Sequence, residues 1–157
     1  MKRRNFLGTL ATLLGAGRVV AADKPAGGIQ KVRLADDEWK KKLSPEAYAV
    51  LRHEATERAG SSPLDHEKRK GTFACAGCEL PLFSSDTKFD SGTGWPSFYT
   101  FLPGSLETKT DFKLVAPRTE YHCARCEGHQ GHVFDDGPKP TGKRYCNNGV
   151  ALKFIPA

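Results

Sequence analysis

The chain has 157 residues, of which 38% are hydrophobic and 27% are charged, and its net charge at pH 7 is +6. This length predicts a single domain. Lys2, Arg3, Arg4 and Arg18 lie within the first 22 residues, which contain no acidic residue, so the net charge of the remaining sequence is only +2. The basic residues that remain form short, separated runs, which argues against a nucleic-acid-binding surface.

Residues 1–22 have the layout of a secretory signal peptide. Basic residues precede the weakly apolar run NFLGTLATLLGAG, and small residues then offer a cleavage site after Ala22. The run is shorter than the ~20 apolar residues that a transmembrane helix needs. Because Arg3-Arg4 is followed directly by NFL, the sequence favours the twin-arginine export route, with an ordinary secretory signal as the alternative. Either signal predicts a bacterial protein that is exported to the periplasm.

Residues 23–35 predict a linker, and residues 36–157 predict one domain that opens with helices. Asp36-Asp37 favours the start of a first helix. Ser44-Pro45 favours the start of a second, because serine caps a helix and proline suits its first position. Apolar residues at helical spacing then continue towards Gly60. The expected arrangement is a helical hairpin packed against the core.

From Gly71 onward, short candidate strands alternate with glycine- and proline-rich turns. The candidates are TFA, SFYT, FKLVA at 112–116, EYHC, HVF, RYC and VALKFI. The sequence shows neither β-α-β alternation nor an internal repeat, so we predict a mainly β, mostly antiparallel domain with a short N-terminal helical segment. About 135 residues follow Ala22, a modest number for a stable core, and a bound metal would add stability.

Four of the five cysteines form two C-x-x-C pairs, Cys75/Cys78 and Cys123/Cys126, with 44 residues between the pairs. Two such turns supply the ligands of a closed tetrahedral site, and we predict one structural Zn2+ per chain. The insert is longer than the ~15–20 residues of a simple zinc ribbon, which weakens a nucleic-acid-binding interpretation. Disulfides, which an oxidising destination favours, are the alternative. A thioredoxin-like redox pair would need a β-α-β setting.

Cys146 has no partner among the other cysteines and is a candidate reactive thiol. The alternative is a buried, inert cysteine. Arg144 and Asn148 stand two residues before and after it, so on a strand all three side chains share a face. A guanidinium near the sulfur would favour the thiolate, which is the nucleophilic form.

Two further stretches carry candidate site residues. In GHQGHVFDDGP, His129 and His132 are candidates for general acids or hydrogen-bond donors, with metal ligands or surface histidines as the alternatives. In SGTGWPSF, Trp95 lies in a glycine- and proline-rich loop. It would form an aromatic wall for an apolar ligand group or fill part of the core.

Three segments together carry a resemblance to a known family. They are FACAGCELPLFSSDTKFDSGTGWPSF, YHCARCEGHQGHVFDDGP and RYCNNGVALKF. They resemble methionine-R-sulfoxide reductases of the B type, and the resemblance runs over residues 36–154. It implies a mainly β fold of two small antiparallel sheets, with a structural zinc held by the four paired cysteines.

The resemblance also implies an activity, the reduction of methionine-R-sulfoxide in proteins or peptides, or as the free amino acid. The catalytic cysteine of the family falls on Cys146, which would attack the sulfoxide sulfur and become a sulfenic acid. The arginine beside it falls on Arg144, which would hold the thiolate. The groups that would bind or protonate the sulfoxide oxygen are His129, His132 and Asn148. The aromatic wall, Trp95, would pack on the S-methyl group and help to select the R epimer.

The sequence departs from the family pattern at two positions. Thr93 stands where many relatives carry a resolving cysteine, so an external thiol or a thioredoxin-like partner is expected to reduce the sulfenic acid. Asn147 stands where an apolar residue is expected. We expect a monomer that binds no nucleic acid. The alternatives are a zinc-binding interaction module without catalysis and a thiol peroxidase that uses Cys146.

Overall fold

The computed structural model describes residues 28–157, so the predicted signal peptide lies outside the described residues. Within this range two α-helices are followed by nine β-strands, with three short 3-10 turns between them. The bounds are α1 Asp36–Lys42, α2 Pro45–His53, β1 Gly71–Cys75, β2 Pro81–Ser84, β3 Lys88–Phe89, β4 Ser97–Phe98, β5 Leu106–Asp111, β6 Arg118–Cys123, β7 His129–Phe134, β8 Arg144–Asn147 and β9 Leu152–Pro156. Neither described helix has the length and apolar content needed to cross a membrane.

The strands form two antiparallel sheets, which confirms the predicted fold class. One sheet has the order β2-β1-β9, and the other has the order β3-β4-β8-β7-β6-β5. Fully buried aromatic rings from the two sheets meet in the core. Phe83 of the first sheet stacks on Phe98 of the second with 4.1 Å between ring centroids, and Phe73 meets Phe98 edge-on at 5.0 Å. This contact holds the sheets face to face.

The two C-x-x-C turns have the same backbone geometry. β1 ends at Cys75 and β6 ends at Cys123. The N–H of Glu79 donates to the carbonyl of Cys75 over 2.8 Å, and the N–H of Glu127 donates to that of Cys123 over 2.9 Å. Both glutamates have a φ of 59°, in the left-handed region. Each strand therefore ends in a tight turn that carries its two thiols.

The helical lead-in begins as predicted and ends earlier. The Ser44 side chain accepts a hydrogen bond from the N–H of Ala47, as a helix cap does. The expectation that the second helix continues towards Gly60 is wrong, because α2 ends at His53. Glu54 has a φ of 54° and turns the chain out of the helix. The segment after it runs along the second sheet.

Residues 28–35, in the predicted linker, have no regular secondary structure but contact the domain. Ile29 and Val32 pack against the core. The N–H of Val32 donates to the carbonyl of Arg125 over 2.8 Å. This part of the chain is therefore held against the second C-x-x-C turn.

The strand predicted at 112–116 is wrong. These residues form an exposed connection between β5 and β6. The strand that pairs with β6 is the preceding polar segment LETKTD, an edge strand whose pattern gave no apolar signal. β2 is also absent from the candidate strands, because a segment that opens with proline is typical of a turn. Pro81 begins an edge strand, where a missing N–H costs no ladder hydrogen bond.

Candidate active site and metal centre

Cys146 lies on β8, an inner strand of the larger sheet. It pairs with Ser97 on β4 and with His132 on β7. A side chain on Gly131 would place its Cβ only 1.9 Å from the carbonyl oxygen of Cys146, so glycine is required for β7 to approach β8 this closely. The sheet thereby holds the half-buried thiol next to a histidine that lies 14 residues earlier in the sequence.

An open cleft of about 440 Å3, including its mouth, leads to Cys146. The structure brings four of the predicted site residues to its lining, Trp95, His132, Cys146 and Asn148. The lining is completed by Thr56, Arg118, Gly131, Phe134 and Asn147. A lining of this kind, with aromatic rings beside a few polar groups, suits a small side chain that carries one polar atom.

The loop after α2 holds Trp95 in the cleft wall. The indole N–H donates to the carbonyl of Glu57 over 3.2 Å. The Glu57 carboxylate in turn accepts hydrogen bonds from the N–H groups of Gly149 (2.6 Å) and Val150 (2.9 Å), just after β8. One residue thus ties the aromatic wall to the chain that carries the thiol.

His132 is held by a charged pair behind it. Its Nε2 lies 2.8 Å from Oδ2 of Asp111, and the same oxygen accepts a hydrogen bond from Arg118 over 2.7 Å. Hydrogen bonds, first from the backbone N–H of Lys113 and then from His132, lower the pKa of Asp111, so this carboxylate is ionised. Burial lowers the pKa of His132, and the hydrogen bond to Asp111 offsets only part of that effect. A neutral His132 therefore donates through Nε2–H, which leaves Nδ1 able to accept a proton.

His129 lies behind the cleft and does not line it. It is 2% exposed, and its ring centroid is 5.5 Å from that of His132. Its Nδ1 lies 2.6 Å from a carboxylate oxygen of Glu120. Burial raises the pKa of Glu120, but hydrogen bonds with His122 and His129 outweigh it and lower the pKa to about 2. Nε2 of His129 is buried and has no hydrogen-bond partner among the described residues.

Arg144 affects Cys146 less than its position in the sequence suggests. Its guanidinium donates two hydrogen bonds to the Asp136 carboxylate, over 2.8 and 2.9 Å, and lies 4.4 Å from the centre of the Phe134 ring. Burial raises the pKa of the Cys146 thiol, and the charge of Arg144 offsets only part of that rise. The thiol in this cleft is therefore mainly protonated at neutral pH.

Thr93 lies beside the thiol. The Thr93 side chain also acts to lower the pKa of the thiol. The Thr93 hydroxyl is 2.8 Å from that of Ser91, which is 2.8 Å from that of Ser97. A chain of hydroxyl groups thus lies near Cys146 and includes the position where the family resemblance leads us to expect a resolving cysteine.

The Asn148 side chain is occupied by backbone contacts. Its oxygen accepts from the N–H of Glu57 over 3.0 Å, and its nitrogen donates to the carbonyl of Gln130 over 2.9 Å. One N–H of the amide remains for a ligand in the cleft. Asn148 therefore serves first to hold the end of β8 in place.

The four paired cysteines meet at one point. Their sulfur atoms all lie within 4.8 Å of one another. Cys75 and Cys126 are 3.6 Å apart at sulfur, and Cys78 and Cys123 are 3.5 Å apart. These separations exceed the ~2.05 Å of a disulfide, and all five cysteines are free thiols. They are close to the ~3.8 Å sulfur spacing implied by a tetrahedral ion at ~2.3 Å from each thiolate. The cluster therefore suits a metal ion.

A buried hydrogen-bond chain links this cluster to β8. The Gln130 amide donates to the sulfur of Cys75 over 3.4 Å, and its oxygen accepts from the Asn147 amide over 3.2 Å. The Asn147 oxygen accepts from the hydroxyl of Tyr121 over 2.9 Å. All four side chains are fully buried. Asn147, where an apolar residue was expected, thus belongs to a satisfied polar network that rigidifies the core next to Cys146.

This architecture defines a two-sheet β protein with a cluster of four thiols, three of them buried, and a separate half-buried thiol in a cleft. The SelR domain family model matches residues 43–156. The chain is 53% identical over 124 residues to peptide methionine sulfoxide reductase MsrB of Methanosarcina barkeri, covering 78% of this chain and 87% of that protein. It is 50% identical over 125 residues to MsrB of Leptospira interrogans, covering 79% of this chain and 95% of that protein.

A chloroplastic relative is longer than this chain. Peptide methionine sulfoxide reductase B1 of Arabidopsis thaliana is 52% identical over 122 residues, which cover 77% of this chain and 60% of that protein. The chain belongs to the SelR domain family, that of the B-type peptide methionine sulfoxide reductases.

Sequence reasoning missed the residues that support the histidines. Asp111, Arg118 and Glu120 carry no recognisable motif. Asp111 binds Arg118 and His132, Glu120 binds His129, and the register of the strands brings these groups together. Asp111 pairs with Arg118 across β5 and β6, and Glu120 pairs with His132 across β6 and β7. Predicting these residues would have required knowing the register of β5, β6 and β7.

The first prediction concerns the ionisation of Cys146. Because burial raises its pKa, alkylation of this thiol by iodoacetamide should reach half its maximal rate above pH ~8.5, the value for an unperturbed cysteine. Arg144→Met removes a charge that opposes this shift and should move the midpoint up by about 1 pH unit. Site-resolved mass spectrometry gives the rates. Lys143→Met, which removes a surface charge paired with Asp135, is the control. A midpoint below that of an unfolded peptide would refute the dominance of burial.

The second prediction concerns the metal centre. Gln130→Leu removes the side-chain hydrogen bond to the sulfur of Cys75, and loss of such an outer contact weakens metal binding. We expect release of the metal to a chelator to become about 10-fold faster, as measured with a colorimetric indicator. Gln30→Leu, at an exposed position, should leave the rate unchanged. Equal rates in the two variants would show that Gln130 does not support the centre.

Proposed function

We propose that the protein reduces methionine-R-sulfoxide in peptides and proteins to methionine, with Cys146 as the nucleophile. The observation that carries the proposal is the position of this thiol in a cleft, where Cys146 on β8 is paired with His132 on the neighbouring strand β7. The family of the chain supports the same reaction. The names of the relatives indicate peptide methionine sulfoxide as the substrate class, and the residues that line the cleft support a mechanism.

The proposed reaction moves one oxygen atom. The Cys146 sulfur attacks the sulfoxide sulfur, the S–O bond breaks and the oxygen is transferred to the cysteine. Methionine leaves with its sulfur reduced by two electrons, and Cys146 becomes a sulfenic acid, oxidised by two electrons. One thiol and one sulfoxide give one sulfenic acid and one thioether, so no other proton or electron is needed at this step.

The proton of the Cys146 thiol can be transferred to the sulfoxide oxygen. A sulfoxide becomes a good electrophile only when its oxygen is protonated or strongly hydrogen-bonded. Because the thiol is buried and protonated at neutral pH, it brings that proton to the site. The neutral His132 would accept it at Nδ1 and pass it to the sulfoxide oxygen, while Asp111 keeps the ring in place. In this mechanism Asn148 assists by holding the oxygen directly or through water, and His129, which lies behind the cleft, assists through water only.

Trp95 would select the epimer. Its indole lines the cleft beside Cys146 and is fixed by the hydrogen bond to Glu57. An S-methyl group packed on this ring leaves the sulfoxide oxygen on the side of His132 only in one of the two configurations. Arg144 would stabilise charge that develops on Cys146 during the attack.

We propose that an external thiol or a thioredoxin-like protein completes the cycle. The sulfenic acid and a dithiol give water, a disulfide in the reductant and the free thiol of Cys146, which balances the two electrons. Thr93 offers a hydroxyl beside Cys146 in place of a thiol. The other four cysteines are gathered in the metal cluster, so the chain has no thiol left to form a disulfide with Cys146.

We propose that the metal is zinc and that its role is structural. Four thiolates at tetrahedral spacing are the preferred ligands of Zn2+, and a four-cysteine shell leaves no position for a substrate. When bound, the ion supplies charge neutralisation and folding stability and takes no part in the reaction. Cys75, Cys78, Cys123 and Cys126 would hold it.

The third prediction tests the activity. The protein, supplied with dithiothreitol, should reduce a peptide that contains methionine-R-sulfoxide and leave the S epimer unchanged, as measured by chromatography. Cys146→Ser should abolish the reaction, because a hydroxyl cannot take up the oxygen. In a single turnover without dithiothreitol, Cys146 should remain as a sulfenic acid that dimedone traps.

Three outcomes would contradict the proposal. Activity on neither epimer, with the metal bound, would favour an interaction module. Consumption of hydroperoxides without sulfoxide reduction would favour a thiol peroxidase. An intramolecular disulfide at Cys146 would refute regeneration by an external thiol alone.

We further propose export to the periplasm by the twin-arginine route, on the basis of residues 1–22. The fourth prediction is that residues 1–35 direct a fused reporter across the inner membrane of a bacterium, as measured by cell fractionation. Changing both Arg3 and Arg4 to Lys should block this transport. Transport that survives the change would indicate an ordinary secretory signal, and a reporter that never leaves the cytoplasm would refute export.

A further inference from the structure

The connection between β5 and β6, residues 112–117, presents apolar side chains to solvent. Phe112, Leu114 and Val115 are 73%, 58% and 108% exposed. Isolated apolar residues are common on protein surfaces, but three large ones exposed within four positions of one connection are a candidate interaction site. We call Phe112, Leu114 and Val115 the apolar loop.

Both ends of the apolar loop are fixed at the cleft. Asp111, directly before it, binds His132, and Arg118, at the start of β6, lines the cleft. Asp111 and Arg118 also bind each other through their side chains over 2.7 Å, which closes the base of the connection. The apolar loop therefore projects from the same group of residues that holds the catalytic histidine.

A further contact holds the connection against the segment that follows α2. The ammonium group of Lys113 pairs with the carboxylate of Glu54, which follows α2. Glu54 stands two residues before Thr56, which lines the cleft. Because Lys113 is paired, the apolar side chains on either side of it lie at the rim without an unpaired charge among them.

We propose that the apolar loop binds the apolar side chains that flank methionine sulfoxide in an unfolded polypeptide. This inference rests on the proposed function. The cleft takes up the oxidised side chain, and the apolar loop is continuous with its rim, so the residues next to the sulfoxide in a bound chain lie against it. Oxidation of a methionine disrupts the apolar core around it, and the segments that then become exposed are apolar. Free methionine sulfoxide has no flanking residues and touches only the cleft.

The test compares three substrates of R configuration with one variant. Phe112→Ser, Leu114→Ser and Val115→Ser are combined. The substrates are N-acetyl-methionine sulfoxide, a peptide with leucine, valine and phenylalanine around the sulfoxide, and a peptide of equal length with glycine and serine there. We expect kcat/KM for the apolar peptide to fall about 10-fold, mainly through KM, which corresponds to about 1.4 kcal/mol. The other two substrates should be unaffected. Ile155→Ser, an exposed apolar position on β9, is the matched control.

Each other outcome is decisive. Equal losses on all three substrates would show that the apolar loop supports the catalytic residues, and unchanged kinetics throughout would show that it does not bind substrate. A wild-type dimer that the triple variant converts to a monomer with unchanged kinetics would identify a self-association surface. If the triple variant does not fold, Leu114→Ser alone should give a smaller loss in the same direction. Failure of the wild type on N-acetyl-methionine sulfoxide and both peptides would refute the proposed function itself.

Discussion

The rest of the structure depends on the meeting of four thiols at one point. Cys75 ends β1 of the smaller sheet and Cys78 follows it, whereas Cys123 ends β6 of the larger sheet and Cys126 follows it. A metal bound to these sulfurs fixes the end of one sheet against the end of the other. With such a metal bound, the relative position of the two sheets would be set by the four sulfurs, and the stacked aromatic rings would fill the space between the sheets. This suits a domain with a modest core.

Buried polar contacts link the cysteine cluster to the candidate active site. Gln130 contacts the sulfur of Cys75 and lies on β7 between the two histidines, and its amide also binds Asn147, the neighbour of Cys146. A buried amide network of this kind is costly unless every member is paired, and here all the side chains find partners. The cysteine cluster and the Cys146 thiol are therefore two ends of one rigid unit.

Burial decides the state of the reactive thiol. The positive charge of Arg144 and the hydroxyl of Thr93 both favour the thiolate, yet Arg144 is already paired with Asp136, and desolvation dominates. The same desolvation keeps His132 neutral beside an ionised Asp111. A cleft of this kind stores a proton on sulfur next to a neutral base. This is an arrangement suited to a substrate whose oxygen must be protonated as it is attacked.

The sequence by itself determined which cysteines and histidines are candidates for the site, because cysteine pairs, a lone cysteine and histidines between glycines are local signals. It also determined the helix starts and most strands, since caps and short apolar runs act within a few residues. Only the tertiary structure decided which side chains from distant strands lie next to one another. Asp111 and Glu120 support the histidines only because β5, β6 and β7 align in one register, and Glu57 reaches Gly149 across 92 positions. The apolar run at 112–116 has the pattern of a strand, but the polar segment before it takes the edge of the sheet and leaves the run in solvent. Whether burial or charge prevails at Cys146 was likewise decided by packing, since desolvation depends on neighbours that are distant in the chain.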